Sequence, residues 1–277
     1  MGKTKLDEIG YWSEIKLDII KKYAVAYTKI MNKQPHINSY HYIDGFAGPG
    51  IHISKNTNEF IPGSPANALK VNPPFSRYHF IDLNGDKAEM LKELGKDNPK
   101  VNIYEGDCNK ILIKNIFPLI KYENYDRALC ILDPYNIGLD WKVIYDAGQS
   151  RAIEIFLSFF VMDMNMNILL HNPEKVDQKQ INRMNIFWGD ESWREAAYEK
   201  QQGLFDKIEE KTSNRVIVEA FRNRLKKIAG FGYVPEPIPM RNTIGATIYY
   251  LFFASPNKTG EKVVKDIFNA YKDRGLV

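Results

Sequence analysis

Four aspartates, Asp44, Asp82, Asp107 and Asp133, each close a short apolar run, and a glycine-rich turn follows the first of them. That turn reads Asp44-Gly45-Phe46-Ala47-Gly48-Pro49-Gly50. Glycines in such a turn let the backbone approach a ligand closely. A carboxylate at a strand end is an acceptor, suited to a cationic group or to sugar hydroxyls. The turn lacks the G-x-G-x-x-G spacing of a dinucleotide cradle, and no Gly-Lys-Ser/Thr follows to make a phosphate loop. One acid after a strand means little, but four in succession form a pattern. Unrelated strand-end turns are the simpler alternative. The five histidines show no ligand spacing, so no metal is expected.

The elements that must carry these residues are legible as periodicities. Ile15, Ile19, Ile20, Tyr23, Ala24 and Tyr27 recur at helical spacing and predict an amphipathic helix over 12–31, inside an N-terminal segment 10–35. Apolar runs predict strands over 40–44, 77–82, 101–104, 128–132 and 153–159. Helices are predicted over 64–71, capped by Ser64, and over 86–94. This alternation predicts an α/β fold with a mostly parallel central sheet, helices on both faces and right-handed crossovers. Ligands then bind at the carboxyl ends of the strands, where all four aspartates fall.

From 162 to 230 the pattern turns helical. It ends in a helix over 215–228 whose stripe is Ile217, Phe221, Leu225 and Ile228. We expect this stretch to be an insertion before the last two strands, 233–240 and 247–254, and to cap the carboxyl edge of the sheet. A helix over 261–271 closes a single domain spanning 1–277.

Composition bounds the rest. Apolar residues make up 44% and charged residues 26%, enough for a sizeable core and too apolar for wholesale disorder. A net charge of +4 permits nucleic-acid binding without arguing for it. Cys108 and Cys130 are read as buried free thiols in a reducing compartment. The first residues are too polar for a signal peptide, and no apolar run reaches the roughly 20 residues of a membrane span. A cytoplasmic protein without a membrane partner is expected.

The turn after Asp44 is similar to the acid–glycine loop of S-adenosylmethionine-dependent methyltransferases. The likeness implies S-adenosyl-L-methionine as cofactor. Asp44 would lie near its charged methionine end, with Gly45 and Phe46 in the turn and Gly48 and Gly50 leaving room. Asp82, with Leu83 beside it, would accept from the ribose hydroxyls. Asp107 and the backbone at Cys108 would read the adenine edge.

Asp133-Pro134-Tyr135-Asn136 resembles the [Asp/Asn]-Pro-Pro-[Tyr/Phe] loop of amino-methyltransferases. There an acceptor orients an exocyclic amine and an aromatic face holds a flipped base. Asp133 would be the acceptor, Pro134 the stiffener of the turn and Tyr135 the platform. The second proline is missing, so the aromatic arrives one position early. A plain Asp-Pro turn closing a strand is the alternative.

The ordered set WSEIK, YIDGFAGPG, PGSP, LDPYN, WGDESW and PMRNTIGATIYYLFFAS resembles the three-Cys-motif partner (TcmP) family over about 10–273. That resemblance implies a methyltransferase-like Rossmann fold and a separately encoded partner protein carrying three cysteines. A more distant likeness is to the adenine methyltransferases of large-subunit ribosomal RNA that carry a PGSP element. It implies that Ser64 helps shape the cofactor pocket and that Lys16 contacts the cofactor, a solvated helix face being the alternative for Lys16. The function expected is methylation of nucleic acid, DNA or RNA, at a base exocyclic amine. The alternative is a non-catalytic partner subunit of the three-cysteine protein. An oxidoreductase is disfavoured by the turn's spacing.

Arg222, Arg224, Lys226 and Lys227 could hold phosphates, though a solvated face is the simpler expectation. Trp188 and Trp193 could stack on bases, with a packed core the simpler expectation. Arg241-Asn242 precedes the last strand near the cleft, with no chemistry assigned.

Overall fold

The computed structural model describes residues 6–202, 207–242 and 244–272. The elements run β1 (Glu8–Ile9), α1 (Tyr11–Asn32), β2 (Ser39–Asp44), β3 (Ile51–Ser54), β4 (Phe60–Pro62), α2 (Ser64–Leu69), β5 (Arg77–Asp82), α3 (Gly85–Gly95), β6 (Val101–Glu105), α4 (Cys108–Ile111) and β7 (Asp126–Leu132). They continue α5 (Trp141–Gln149), β8 (Ile153–Phe159), α6 (Val161–Asn167), α7 (Gln178–Trp188), α8 (Trp193–Ala197), β9 (Tyr198–Gln202), β10 (Lys207–Lys211), α9 (Asn214–Lys227), β11 (Ile238–Arg241), β12 (Thr247–Ala254) and α10 (Lys258–Tyr271).

Seven strands form the central sheet in the order β11-β12-β8-β7-β2-β5-β6. β6, β5, β2, β7 and β8 are parallel. β12 runs antiparallel between β8 and β11. The expected α/β architecture, mostly parallel and with the last two strands at one side, is therefore present. Both faces are covered, so strand residues alternate between two apolar cores. Ile43, Ile81, Cys130, Leu132, Ile155, Leu157 and Phe252 face one core, with α5, α7 and α9. Tyr42, Phe80, Leu129, Ile131, Phe156 and Phe253 face the other, with α1 and α10. Cys108 and Cys130 are both buried and free, as expected.

Several expectations need correction. The stretch 162–230 is not a cap over the carboxyl edge. Met184, Phe187, Trp188, Trp193, Ile217, Phe221 and Leu225 are buried in the same core as Phe159 and Phe252, so the insertion thickens one helical layer. The stretch is also not wholly helical, because β9 and β10 pair in an antiparallel hairpin. Its sequence carries no period-2 apolar alternation, so the pattern that announces a strand is missing. Ile228, expected in the stripe of α9, is 47% exposed because the helix ends one residue earlier. The expected strand 233–240 is paired only from Ile238, apart from a single bridge between Tyr233 and Ser255. A small sheet, β1-β3-β4, was not anticipated, since strands of two to four residues carry too little pattern. Ser64 is the first residue of α2, not its cap, which is Gly63.

The insertion docks closely on α5. A Cβ at Gly148 would sit 2.1 Å from the Ala229 carbonyl oxygen, and the Gln149 Nε2 donates to that same oxygen at 3.0 Å. Glycine inside a helix ordinarily costs about 1 kcal/mol relative to alanine. Here an overlap with backbone outweighs that gain. Gly148→Ala is expected to destabilise the protein by about 2 kcal/mol or more, read as a lower midpoint of urea unfolding.

Candidate functional site

The carboxyl ends of β2 and β7 open into a cavity of about 890 Å³, within the range of small-molecule sites. Its walls come from the segment Asp7–Ser13, from α1 through Lys16, Leu17 and Ile20, and from the turn after β2 through Asp44 and Phe46–Gly48. His52, Lys55, Ser64, Phe160, Arg241, Asn242, Ile248 and Tyr249 complete it around Asp133, Pro134 and Tyr135.

Asp44 is buried, at 1% exposure. Its Oδ1 accepts from the Phe46 N–H at 3.2 Å, while its Oδ2 has no hydrogen-bond partner among the described residues. Burial pushes its carboxyl up to about 7, against the neighbouring Ser64 hydroxyl and the Phe46 N–H, which favour the charged form; the Asp133 charge adds to the rise and the Lys16 charge opposes it. Among the described residues the Tyr249 hydroxyl, beside Lys16 and Ser13, and His52 Nδ1, on the same wall, are also buried without a well-formed hydrogen bond. Buried polar atoms are nearly always satisfied, so three orphans around one cavity point to a ligand.

Lys16 and Asp133 form an ion pair across α1 and the end of β7. Asp133 also accepts from the Ser158 hydroxyl at 2.5 Å. Lys16 is buried and its ammonium lies 5.3 Å from the centre of the Tyr249 ring. Burial alone would lower the lysine's pKa, but the neighbouring Asp133 carboxylate more than reverses this, and its pKa is raised above the usual value. The solvated-face alternative for Lys16 is thereby corrected: the helix is buried along this side, and the lysine turns inward because a carboxylate waits there.

Tyr135 is 74% exposed at the mouth, its hydroxyl donating to Asp7 at 3.1 Å. Asp7 also pairs with Lys87 at 2.7 Å, so the N-terminal segment is tied down across the site.

The turn's glycines divide their work. Gly48, at φ +64°, lines the cavity and donates its N–H to Asp82 Oδ2 at 2.9 Å. Gly45 donates to the Ile131 carbonyl at 2.9 Å and lies behind the turn. Gly50 does not face the cavity, because the chain has already turned: a Cβ there would meet Leu94 of α3 at 2.7 Å. Asp82 holds the turn through Gly48 and also accepts from the Asn84 N–H at 2.8 Å. Leu83 beside it is 76% exposed. Asp107 caps α4 by accepting from the Asn109 N–H at 3.0 Å, and Cys108 turns its thiol into the core, where burial pushes it up to about 12. Asp82, Leu83, Asp107 and Cys108 thus sit together along the ends of β5 and β6, outside the cavity walls.

Ser158, Tyr249 and His52 were missed from sequence. Ser158 had a signal, being the lone hydroxyl in the apolar run of β8. Tyr249 and His52 had none. Arg222 and Arg224 are spent internally. Arg222 donates to the Val234 carbonyl at 2.8 Å, and Arg224 pairs with Asp190 at 2.6 Å over the Trp141 ring. Trp188 and Trp193 are core residues. Among the described residues no cluster of His, Cys, Asp or Glu could hold a metal, and no helix is long and apolar enough to cross a membrane.

The strand order and the antiparallel β12 decide the fold. It is a methyltransferase-like Rossmann fold. The whole chain is similar to a Legionella pneumophila str. Philadelphia 1 protein of the DUF519 family, with a TM-score of 0.53 at 14% identity, covering 94% of this chain and 93% of that one. At that identity the likeness concerns the fold alone. A putative methyltransferase from Thermobifida fusca YX matches with a TM-score of 0.40 at 12% identity, over 86% and 80% of the two chains. The CurJ carbon methyltransferase matches with 0.42 at 14%, over 85% and 54%. No protein-family model matches the chain, and no curated protein matches it.

Removing one partner of the Lys16–Asp133 pair strands the other charge. Asp133→Ala is expected to cost about 3 kcal/mol in urea unfolding, whereas Lys16→Met combined with Asp133→Leu should recover most of that loss. An unchanged midpoint for the single variant would show that the pair is not a stabilising contact.

Proposed function

We propose that the chain is an S-adenosylmethionine-dependent methyltransferase acting on nucleic acid at a base exocyclic amine. The observation that carries this is the unpartnered Asp44 Oδ2, buried in the wall of a cavity that also holds the Asp133-Pro134-Tyr135 loop. The residues present suit the cofactor's cationic amino-acid end: Asp44 supplies a free carboxylate oxygen and Gly48 a side chain-free approach. Asp82, Leu83, Asp107 and Cys108, along the next two strand ends, suit its nucleoside end. When bound, the cofactor supplies an electrophilic methyl group. The chain's own residues do the rest. Asp133, held by Lys16 and Ser158, keeps its carboxylate fixed as an acceptor for an amine N–H. A carboxylate has about four lone-pair sites, so two partners leave it room to accept. Tyr135 presents an aromatic face at the mouth, suited to stacking on a base.

A second reading is also motivated. Asp133 already has both oxygens engaged, and the loop lacks its second proline. These observations favour a non-catalytic subunit that keeps the fold and partners a separately encoded three-cysteine-motif protein, as the likeness to the TcmP family suggests. Copurification with that protein, without label transfer from methyl-labelled cofactor, supports it; methyl transfer by the isolated chain rules it out.

Two measurements test the first reading. Calorimetric titration should show S-adenosylmethionine binding that strengthens as pH rises from 6 toward 8. Asp44 is protonated below about 7, and only its ionised form attracts an ammonium. The gain is at most about tenfold per pH unit, levelling above the carboxyl's pKa, and Asp44→Asn should abolish it. Separately, Asp133→Asn preserves volume and should reduce methyl transfer to nucleic acid by about 100-fold or more while leaving cofactor affinity within about twofold. Absence of cofactor binding by folded protein would sink the proposal.

A further inference from the structure

Arg241 ends β11 where the register with β12 shifts between Met240 and Arg241. A break of this kind re-aims a side chain, and such breaks gather beside active sites. Asn242 fixes the turn that follows: its Oδ1 accepts from the Ile244 and Ala246 N–H groups at 3.1 and 2.9 Å, and its own N–H donates to the Ala246 carbonyl at 2.9 Å. Arg241 itself lines the cavity, and among the described residues its guanidinium has neither an ion pair nor a hydrogen bond.

The neighbouring charges sharpen this. Lys16 is committed to Asp133 and Lys87 to Asp7. Lys55, exposed at the rim, is the other unpaired cation of the cavity wall among the described residues. Of the acids on the wall, Asp7 and Asp133 pair with those lysines, while Glu8 and Asp44 form no ion pair among the described residues. Asp44 and Arg241 are kept apart by the sheet. β2 and β11 are four strand spacings from each other, roughly 19 Å. One cavity therefore carries an unpaired carboxylate at the cofactor cradle and an unpaired guanidinium at its far side.

Resting on the nucleic-acid reading above, we infer that Arg241 binds a backbone phosphate of the substrate and holds the strand while a base reaches Asp133. A planar fork of N–H donors matches phosphate geometry, and a free one in a cavity wall is available for it. The other anion such a group can take is the cofactor's own carboxylate, from which the four-strand separation sets it apart.

The test measures binding of short single-stranded RNA and DNA oligonucleotides of mixed sequence at several salt concentrations, alongside calorimetric titration with S-adenosylhomocysteine. Arg241→Gln should lower the salt slope of oligonucleotide binding by about one and leave S-adenosylhomocysteine affinity unchanged, with Arg241→Lys restoring the slope. Equal melting temperatures of the variants show that the fold is intact. If the slope is unchanged while the parent protein binds oligonucleotide, the inference fails and the nucleic-acid reading stands. If Arg241→Gln weakens S-adenosylhomocysteine instead, the residue belongs to the cofactor. If the parent binds S-adenosylhomocysteine but no oligonucleotide, the nucleic-acid reading fails and the inference with it.

Discussion

The ion pair between Lys16 and Asp133 is the contact on which the site depends. It joins the N-terminal helix to the carboxyl end of a central strand, two elements more than a hundred residues apart. Taking an ammonium and a carboxylate out of water is costly, and only close pairing with further hydrogen bonds offsets the cost. Ser158 supplies one such bond from the adjacent strand, and the Tyr249 ring lies beside the ammonium. The pair thus fixes three walls of the cavity at once: α1, the end of β7, and the β8–β12 side.

Asp44 sits next to that pair and is its electrostatic counterpart. Where Asp133 is paired with Lys16, Asp44 keeps an oxygen with no hydrogen-bond partner among the described residues, and burial together with the Asp133 charge raises its pKa toward neutrality. A fold tolerates such a group where a ligand completes it. The two carboxylates, on neighbouring strands β2 and β7, differ in that Asp133 forms an ion pair with a lysine and Asp44 forms none among the described residues. That difference separates the part of the site suited to a cation from the part suited to orienting a hydrogen-bond donor.

Much of the scaffold was readable beforehand. Strands 153–159 and 77–82 fall where their apolar runs lie, because strands buried on both faces are written as nearly continuous apolar runs. The helix over 12–31 was announced by its stripe. The elements missed are those whose stability comes from elsewhere: two- to four-residue strands that borrow their partners, and a hairpin whose sequence is mostly polar. The insertion was found but misplaced. An apolar stripe says that a helix is buried, not against what.

What the sequence by itself determined is local: the order of strands and helices, the acids at the strand ends, the glycine turn and the Asp-Pro-Tyr loop. Each depends on residues a few positions apart. What only the tertiary structure decided is which of these meet. It turned Lys16 inward onto Asp133, pointed Gly50 toward α3 and Gly48 into the cavity, spent Arg222 and Arg224 on the insertion, and left Arg241 unpaired among the described residues. Those outcomes follow from packing between segments distant in sequence, where burial and partner availability, not residue type, set a side chain's charge and reach.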